Sequence, residues 1–429
     1  MKQYEKYKMS MHQGVIEIPI DWIETKIKYL FDIGRGRVIS QQELVLEGKY
    51  PVYSSQTKGD GCMGYINTFE NDEKGILTWT TDGANAGEVF KRTGQFNCTN
   101  VCGTLKPIKD IDLDYYLYFL KNITPFYKRP DTNGAKIMNN EMAEIYAIIP
   151  TLNEQCAIAR YLDYTIGNLD ELIAEKERFI VKLNEKRKAV INEVITRGLK
   201  PDAPMRCSGI EWLGDIPAHW ELIKLKHLTL KIGSGVTPTG GAEVYQSKGV
   251  LFIRSQNVYN DGLRLDDVAY ISDEIDNSMA NSRVCKNDVL LNITGASMGR
   301  CCFVENIGRA NVNQHVCIIR PLTNMISTKY LHLVLCSEIG QNQMELVQNG
   351  GNREGLNFEN LKNFQITHIS INEQTEIVNF IEAKTAKIDK LVAEITQQIE
   401  KLKEYKTSVI SEAVTGKVDL RDWKSPKTV

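Results

Sequence analysis

The chain lacks any apolar run of the roughly 18 residues that a membrane-spanning helix requires, which excludes a protein threaded through a bilayer. Its opening segment, Met1 to Ser10, is polar and has no apolar stretch behind its lysines, so no secretory signal is expected. None of the ten cysteines forms a C-x-x-C pair. In a chain of 429 residues without an export signal they read as reduced, mostly core thiols of a cytoplasmic protein. The six histidines show no ligand spacing, and no metal site is expected. Charge of one sign is also missing, since 52 Lys and Arg stand against 54 Asp and Glu. A protein that held nucleic acid alone and tightly would carry a basic excess. Any such binding must therefore use local basic groups or a partner's phosphate contacts.

Catalytic signatures are absent as well. There is no G-x-S-x-G, Walker A, H-E-x-x-H or G-x-G-x-x-G. Asn292-Ile-Thr-Gly295 has only a faint likeness to the N-P-P-Y of amino-methyltransferases, without the prolines and aromatic that would hold a base. A non-catalytic protein is expected.

What the chain does contain is itself, twice. Thr151-Leu-Asn-Glu-Gln155 returns as Ser370-Ile-Asn-Glu-Gln374, and the shift of 219 holds without a gap for about forty residues, pairing Asp170 with Asp389 and Val190 with Val409. Ile18-Pro-x-x-Trp22 returns as Ile216-Pro-x-x-Trp220 at a shift of 198. Between these landmarks the match is patchy, with Gly83-Ala-x-x-Gly87 against Gly295-Ala-x-x-Gly299. Each copy is thus a divergent region followed by a well-kept segment, which suggests one shared job for the like parts and different targets for the unlike ones.

The like segments read as long helices. Apolar residues recur in steps of three and four through Ile158, Leu162, Ile166, Leu169, Leu172/Ile173, Phe179/Ile180, Leu183, Val190 and Val194, and again from Ile377 to Ala413. Thr151-x-x-Glu154 and Ser370-x-x-Glu373 are capping boxes, and Gly198 and Gly416 are stop signals. The outer faces carry Lys176, Arg178, Lys182, Arg187, Lys401, Lys403 and Lys406, which a partner, DNA or water could meet.

The expected class is α+β: two compact mixed domains joined by two long helices in an antiparallel coiled coil, with an internal pseudo-twofold repeat. The boundaries are a recognition domain at 1–150, a long helix at 151–200, a linker at 201–215, a second domain at 216–369, a second helix at 370–416 and a tail at 417–429. Short β-type runs at Gly75–Thr80, Gly249–Arg254 and Asp288–Ile293, with helices at Asp112–Lys121 and Thr328–Cys336, support mixed domains. Polar loops beside glycine are the candidate reading surfaces. In the first domain they supply Arg35, Arg37, Ser55, Gln56, Lys58, Arg129 and Lys136; in the second, Ser234, Thr237, Arg254, Gln256, Asn257, Asn352 and Arg353. Arg and Lys suit guanine edges or phosphates, and Asn or Gln suits adenine.

With these features the chain resembles the specificity subunit of bacterial and archaeal type I restriction–modification systems. The resemblance rests on Gly198-Leu-Lys-Pro-Asp-Ala-Pro-Met205, on Ser208-Gly-Ile-Glu-Trp-Leu-Gly-Asp-Ile-Pro-Ala-His-Trp220, on the Asn-Glu-Gln of each long helix and on Ala413-Val-Thr-Gly-Lys-Val-Asp-Leu-Arg421. It implies that each domain reads one half of a bipartite, asymmetric site in double-stranded DNA. It also implies that the coiled coil sets the spacer and docks two methyltransferase subunits, with two restriction subunits in the full complex. No cofactor is expected on this chain; S-adenosylmethionine, ATP and Mg2+ would serve the partners. One departure is that the first copy has no sequence counterpart of Ser208–Gly214, which reads as a linker needed only between copies. A scaffold with two protein-binding end domains is the alternative.

Overall fold

A computed structural model describes residues 2–132, 134–349 and 355–426. The chain divides into two compact units, Met1–Glu177 with Ile395–Val429, and Arg178–Glu394. Each is built of mixed helix and sheet. Both long helices, Leu152–Arg197 and Ile371–Val414, are shared between the units.

In the first unit, strands Tyr7–Met9 and Glu17–Pro19 form a hairpin, and Ile23–Lys26 pairs with Tyr146–Ile149. A six-stranded sheet follows in the order Phe31–Arg35, Cys102–Pro107, Asn71–Thr80, Val89–Cys98, Tyr50–Tyr53, Cys62–Ile66. Neighbours are antiparallel except that Val52 and Tyr53 run parallel to Asn97 and Cys98. Helix Leu113–Tyr127 starts where the Asp112 carboxylate accepts from the Tyr115 N–H at 2.9 Å. It buries Tyr115, Tyr116, Phe119, Leu120 and Ile123, spaced for one helical face, against Leu77, Val89 and Leu105 of the sheet.

The second unit repeats this plan with one break. Strands Thr229–Ser234, Val316–Pro321, Val289–Asn292 and Cys301–Phe303 form one sheet; Val250–Ile253 lies in another, antiparallel to Ala269–Ile271 and parallel to Ala310–Val312. Helix Thr328–Cys336 is capped by the Ser327 hydroxyl and buries Tyr330, Leu331, Val334 and Leu335. Two buried carboxylates brace the unit. Asp288 holds Arg320 at 2.7 and 2.8 Å, and Asp276 meets Arg283, Arg309 and Asn311. Despite burial, the Arg283 guanidinium and then Asn311 and Arg309 hold Asp276 below the usual carboxylate range.

The residues between the copies are not a plain linker. Met205–Cys207 pairs with Asp215–Pro217 in the same register as Tyr7–Met9 with Glu17–Pro19, at the constant shift of 198. Backbone bonds hold such a hairpin, so the side chains of its first strand were free to diverge and hid the repeat. The tail is likewise packed: Leu420 is buried in the first unit's core, and Trp423 stands edge-on to Tyr161 at 5.4 Å.

The landmark residues lock each domain to the helices. Trp22 donates to Glu154 at 3.3 Å and Trp220 to Glu373 at 3.0 Å. A side chain on Gly416 would strike Pro19 and Trp22, and one on Gly198 would press Trp220. Both glycines have a φ near 75°, which ends their helices. The following Gln is buried in both copies: Gln155 accepts from Asp112 N, and Gln374 from Ser327 N. Each thereby ties a long helix to the first turn of its domain's own helix.

Within the first unit Lys406 pairs with Asp170 at 2.5 Å and Lys176 bonds Gln398 at 2.7 Å, so the two helix segments run antiparallel there. In the second, Arg187 meets Asp389 at 3.1 Å. Three of the outer-face cations are thus engaged helix to helix. The apolar stripe is shielded over much of its length, the middle of the second helix included, where Ile395 and Ile399 are buried. Ile158, Leu162, Ile166 and Leu183 are buried and Ile173 and Ile180 half-buried, whereas the neighbouring Leu172 and Phe179 are 40% and 48% exposed.

Candidate nucleic-acid interface

Three chain segments converge at one end of the first unit's sheet. Arg37 N bonds Cys98 O at 3.1 Å, Gly36 N bonds Cys102 O, and Thr99 N bonds Tyr53 O at 2.9 Å. The Gly34–Arg37 turn crosses so close to the Cys98 and Thr99 carbonyls that a Cβ at Gly36 would overlap them. Asn85 donates to Ser55 O at 2.9 Å, which draws in the Asp82–Gly87 turn. Strands Arg129–Asp131 and Gly134–Lys136 pair onto Asp82–Gly83, and Asn139 donates to Gly34 O. All seven first-domain candidates therefore lie on loops tied to one another.

The second unit assembles its loops the same way. Asn313 N bonds Ile253 O at 3.1 Å, and Asn292 donates to Ser255 O at 2.8 Å. Gly235 lies against the Val312 and Asn313 carbonyls as Gly36 lies against Cys98 and Thr99. Thr237 bonds Gln314, whose amide meets His315. Leu356 N bonds Ile293 O, bringing the chain after residue 354 onto the same cluster. Asn352 and Arg353 lie outside the described residues.

Candidates differ in how free they are. Lys58 is exposed without a polar partner, and Arg35 bonds only the Asn100 carbonyl. Gln56 reaches the Cys62 carbonyl, and the Ser234 hydroxyl the Gly235 carbonyl. Arg37 is held by Glu43 and Glu70, each at 2.7 Å, and Arg129 by Glu141. Lys136 pairs with Asp131, holding that carboxyl below its usual range. Arg254 and Gln256 share Asp267. Asn257 is a correction. It is 2% exposed, its carbonyl accepts Arg254 N, and its amide donates to Arg264 O and Asp267 O. With every polar atom committed it shapes the loop and cannot read a base.

The sequence reading missed Asn85, Asn100, Gln314, His315 and Arg300. Arg300 stacks on Tyr259 at 4.6 Å and follows the Gly295 turn that Asn292 joins to Ser255. The signal was there in part. Ser55-Gln56 and Ser255-Gln256 stand at a shift of 200, and each follows the strand that pairs in parallel.

Two units that each gather polar loops at a sheet end define a two-headed binding protein. Residues 19–180 and 217–401 match the model of the type I restriction modification DNA specificity domain. The chain belongs to that family. A Mycoplasma pneumoniae protein named as a type I specificity subunit N-terminus is 44% identical over 141 residues, 32% of this chain and 74% of that one. The type I restriction enzyme MjaVIII specificity subunit of Methanocaldococcus jannaschii is 24% identical over 424 residues, 95% of each chain. The chain spans only about half of another M. pneumoniae subunit that it matches. A solved chain from work on assembly and conformational transition of the type I system superposes with a TM-score of 0.68 at 13% identity, over 94% of this chain and 99% of that one. That likeness is one of fold. Among the described residues no helix is long and apolar enough to cross a membrane.

Proposed function

We propose that the chain is the DNA-reading, non-catalytic specificity subunit of a type I restriction–modification complex, with each unit reading one half of a bipartite site. The observation that carries this is the repeated frame, in which the same loops converge in both units while the side chains on them differ. Lys58, Arg35, Gln56, Thr237 and Gln256 are the candidates best placed to contact bases or phosphates. Arg37, Arg129, Lys136, Arg254 and Ser234 orient the loops, and can reach phosphate only by exchanging present partners.

The long helices would pair along their length as an antiparallel coiled coil that fixes the spacer, in a pseudo-twofold arrangement. Their exposed Leu172 and Phe179 support docking of methyltransferase subunits. Two such subunits would supply adenine methylation with S-adenosylmethionine, and two restriction subunits would use ATP and Mg2+, all in the cytoplasm. A net charge of −2 fits a chain that leaves part of the phosphate contact to those partners.

The test is methylation mapping of DNA from cells expressing this chain with its cognate methyltransferase subunit. A split motif, two short defined halves around a fixed undefined gap, is expected. Methylation without a split motif would overturn the two-headed reading.

A further inference from the structure

Beneath the second unit's reading loops lie three side chains with no role in that reading. His332 and Cys336 are one turn apart on helix Thr328–Cys336, so they share a face, and Cys301 of strand Cys301–Phe303 lies opposite. The His332 Nε2 and the two Sγ atoms all lie within 4.8 Å of one another. Cys336 Sγ is 3.4 Å from His332 Nε2. Bond lengths of about 2.3 Å to sulfur and about 2.0 Å to nitrogen at a tetrahedral angle put two such ligands roughly 3.5 Å apart. The spacing is that of ligands around one small cation.

The surroundings match as well. The His332 Nε2 now meets the Cys301 carbonyl oxygen at 3.0 Å, a contact it would exchange for the cation; the Asn260 backbone also faces the ring, and the Asn260 side chain accepts from Cys301 N at 2.9 Å. A carbonyl behind the imidazole is the usual orienting partner of a ligating histidine. His332 also lines a cavity of about 490 Å³ with Asn260 and Asp261, which gives solvent a route to a fourth position. Among the described residues the first unit has no equivalent. Aligning the pinned residues Asp112 and Ser327 puts Leu117 and Lys121 where His332 and Cys336 stand.

We propose that Cys301, His332 and Cys336 form a site for one soft divalent cation of the zinc class. The fourth position is left to water. Two thiol protons pass to solvent on binding, and the cation ties strand Cys301–Phe303 to the helix below the Asn292–Arg300 loop. The proposal is independent of the DNA-reading function.

The test uses the full chain, purified under reducing conditions and stripped with a chelator. Cobalt(II) titration should saturate at one equivalent with thiolate-to-cobalt charge transfer and tetrahedral visible bands, and zinc should abolish them. Cys336→Ser and His332→Gln should each weaken zinc binding by more than about 100-fold. Cys207→Ser, at an exposed cysteine, should change nothing. In the wild-type chain, zinc should shield Cys336 from alkylation and leave Cys207 reactive, a result that does not depend on any variant folding. Absence of the charge-transfer band in the folded wild-type chain would overturn the proposal. So would an unchanged band in both ligand variants, or alkylation of Cys336 that zinc does not slow.

Discussion

Strand Val89–Cys98 of the first unit does in one piece what the second unit does in two. Its end pairs in parallel with Val52 and Tyr53, as Ala310–Val312 pairs with Leu251 to Ile253, while Cys301–Phe303 closes the antiparallel sheet. The interruption accounts for part of the second copy's extra length. It is braced by Asp276 with Arg283, Arg309 and Asn311, the last standing where the first unit has the equally buried Asn97. What touches the long helices has been kept, and what lies between the helices and the loops has been rebuilt. A sheet ladder can survive that rebuilding because its bonds come from the backbone; the Trp and Gln locks cannot, because theirs come from side chains.

If the kept locks carry equal weight, Trp22→Ala and Trp220→Ala should each cost about 3–5 kcal/mol, the largest effects expected, and each in its own unit. Hydrogen exchange resolved by peptide would check this. Loss of protection in Arg178–Glu394 from Trp22→Ala as large as that in the first unit would break the comparison.

The rebuilt part should respond on one side only. Asp276→Ala should cost the second unit about 3 kcal/mol, because two guanidinium groups and a buried amide lose their acceptor. Asp276 is held below its unfolded value, so its contribution is present above pH ~4 and is lost as pH falls through the folded pKa. Acid unfolding of the wild type against Asp276→Asn should therefore converge at low pH. A constant gap would show that the charge is not what braces the break.

The loops should divide the DNA response. Gln56→Ala or Lys58→Ala should relax or weaken one half-site, and Thr237→Val or Gln256→Ala the other, each by about 1–3 kcal/mol where a base contact is lost. Methylation rates on DNA altered in one half at a time would measure it. A variant that changed both halves together would sink the division. Asn257→Ala should instead disturb its loop as a whole, since three hydrogen bonds go with it.

Periodicity and landmarks made the helices, the duplication and the domain helix Thr328–Cys336 readable from the chain, because each is specified by side chains at fixed spacing. The hairpin Met205–Pro217 was missed because its first strand shares pairing with Tyr7–Met9 and no side-chain pattern. The loop residues were found by type, but their freedom was invisible. That Arg37 faces two glutamates and Asn257 is enclosed depends on acids and carbonyls brought from elsewhere by the fold. Lys58 was chosen on the same grounds as Arg37 and only the three-dimensional setting separates them.

The smallest effect concerns a box that looks identical in the two copies. At the first helix both halves form: Glu154 N is 3.4 Å from Thr151 Oγ1, and Thr151 N bonds Glu154 Oε2 at 3.0 Å, with the hydroxyl also donating to that oxygen at 2.7 Å. Glu154 still takes the Trp22 indole with its other oxygen. At the second helix Glu373 N reaches Ser370 Oγ at 3.3 Å, but the Glu373 carboxylate is spent on Trp220 and His219. Thr151→Ala therefore removes the cap and a tether on Glu154 together, for about 1 kcal/mol, whereas Ser370→Ala removes the cap alone and should cost about half as much. Unfolding midpoints of the two variants, with Thr151→Ser as the control for the lost methyl, would rank them. Equal losses would mean that the carboxylate tether adds nothing and that the two helix starts differ in geometry without differing in strength.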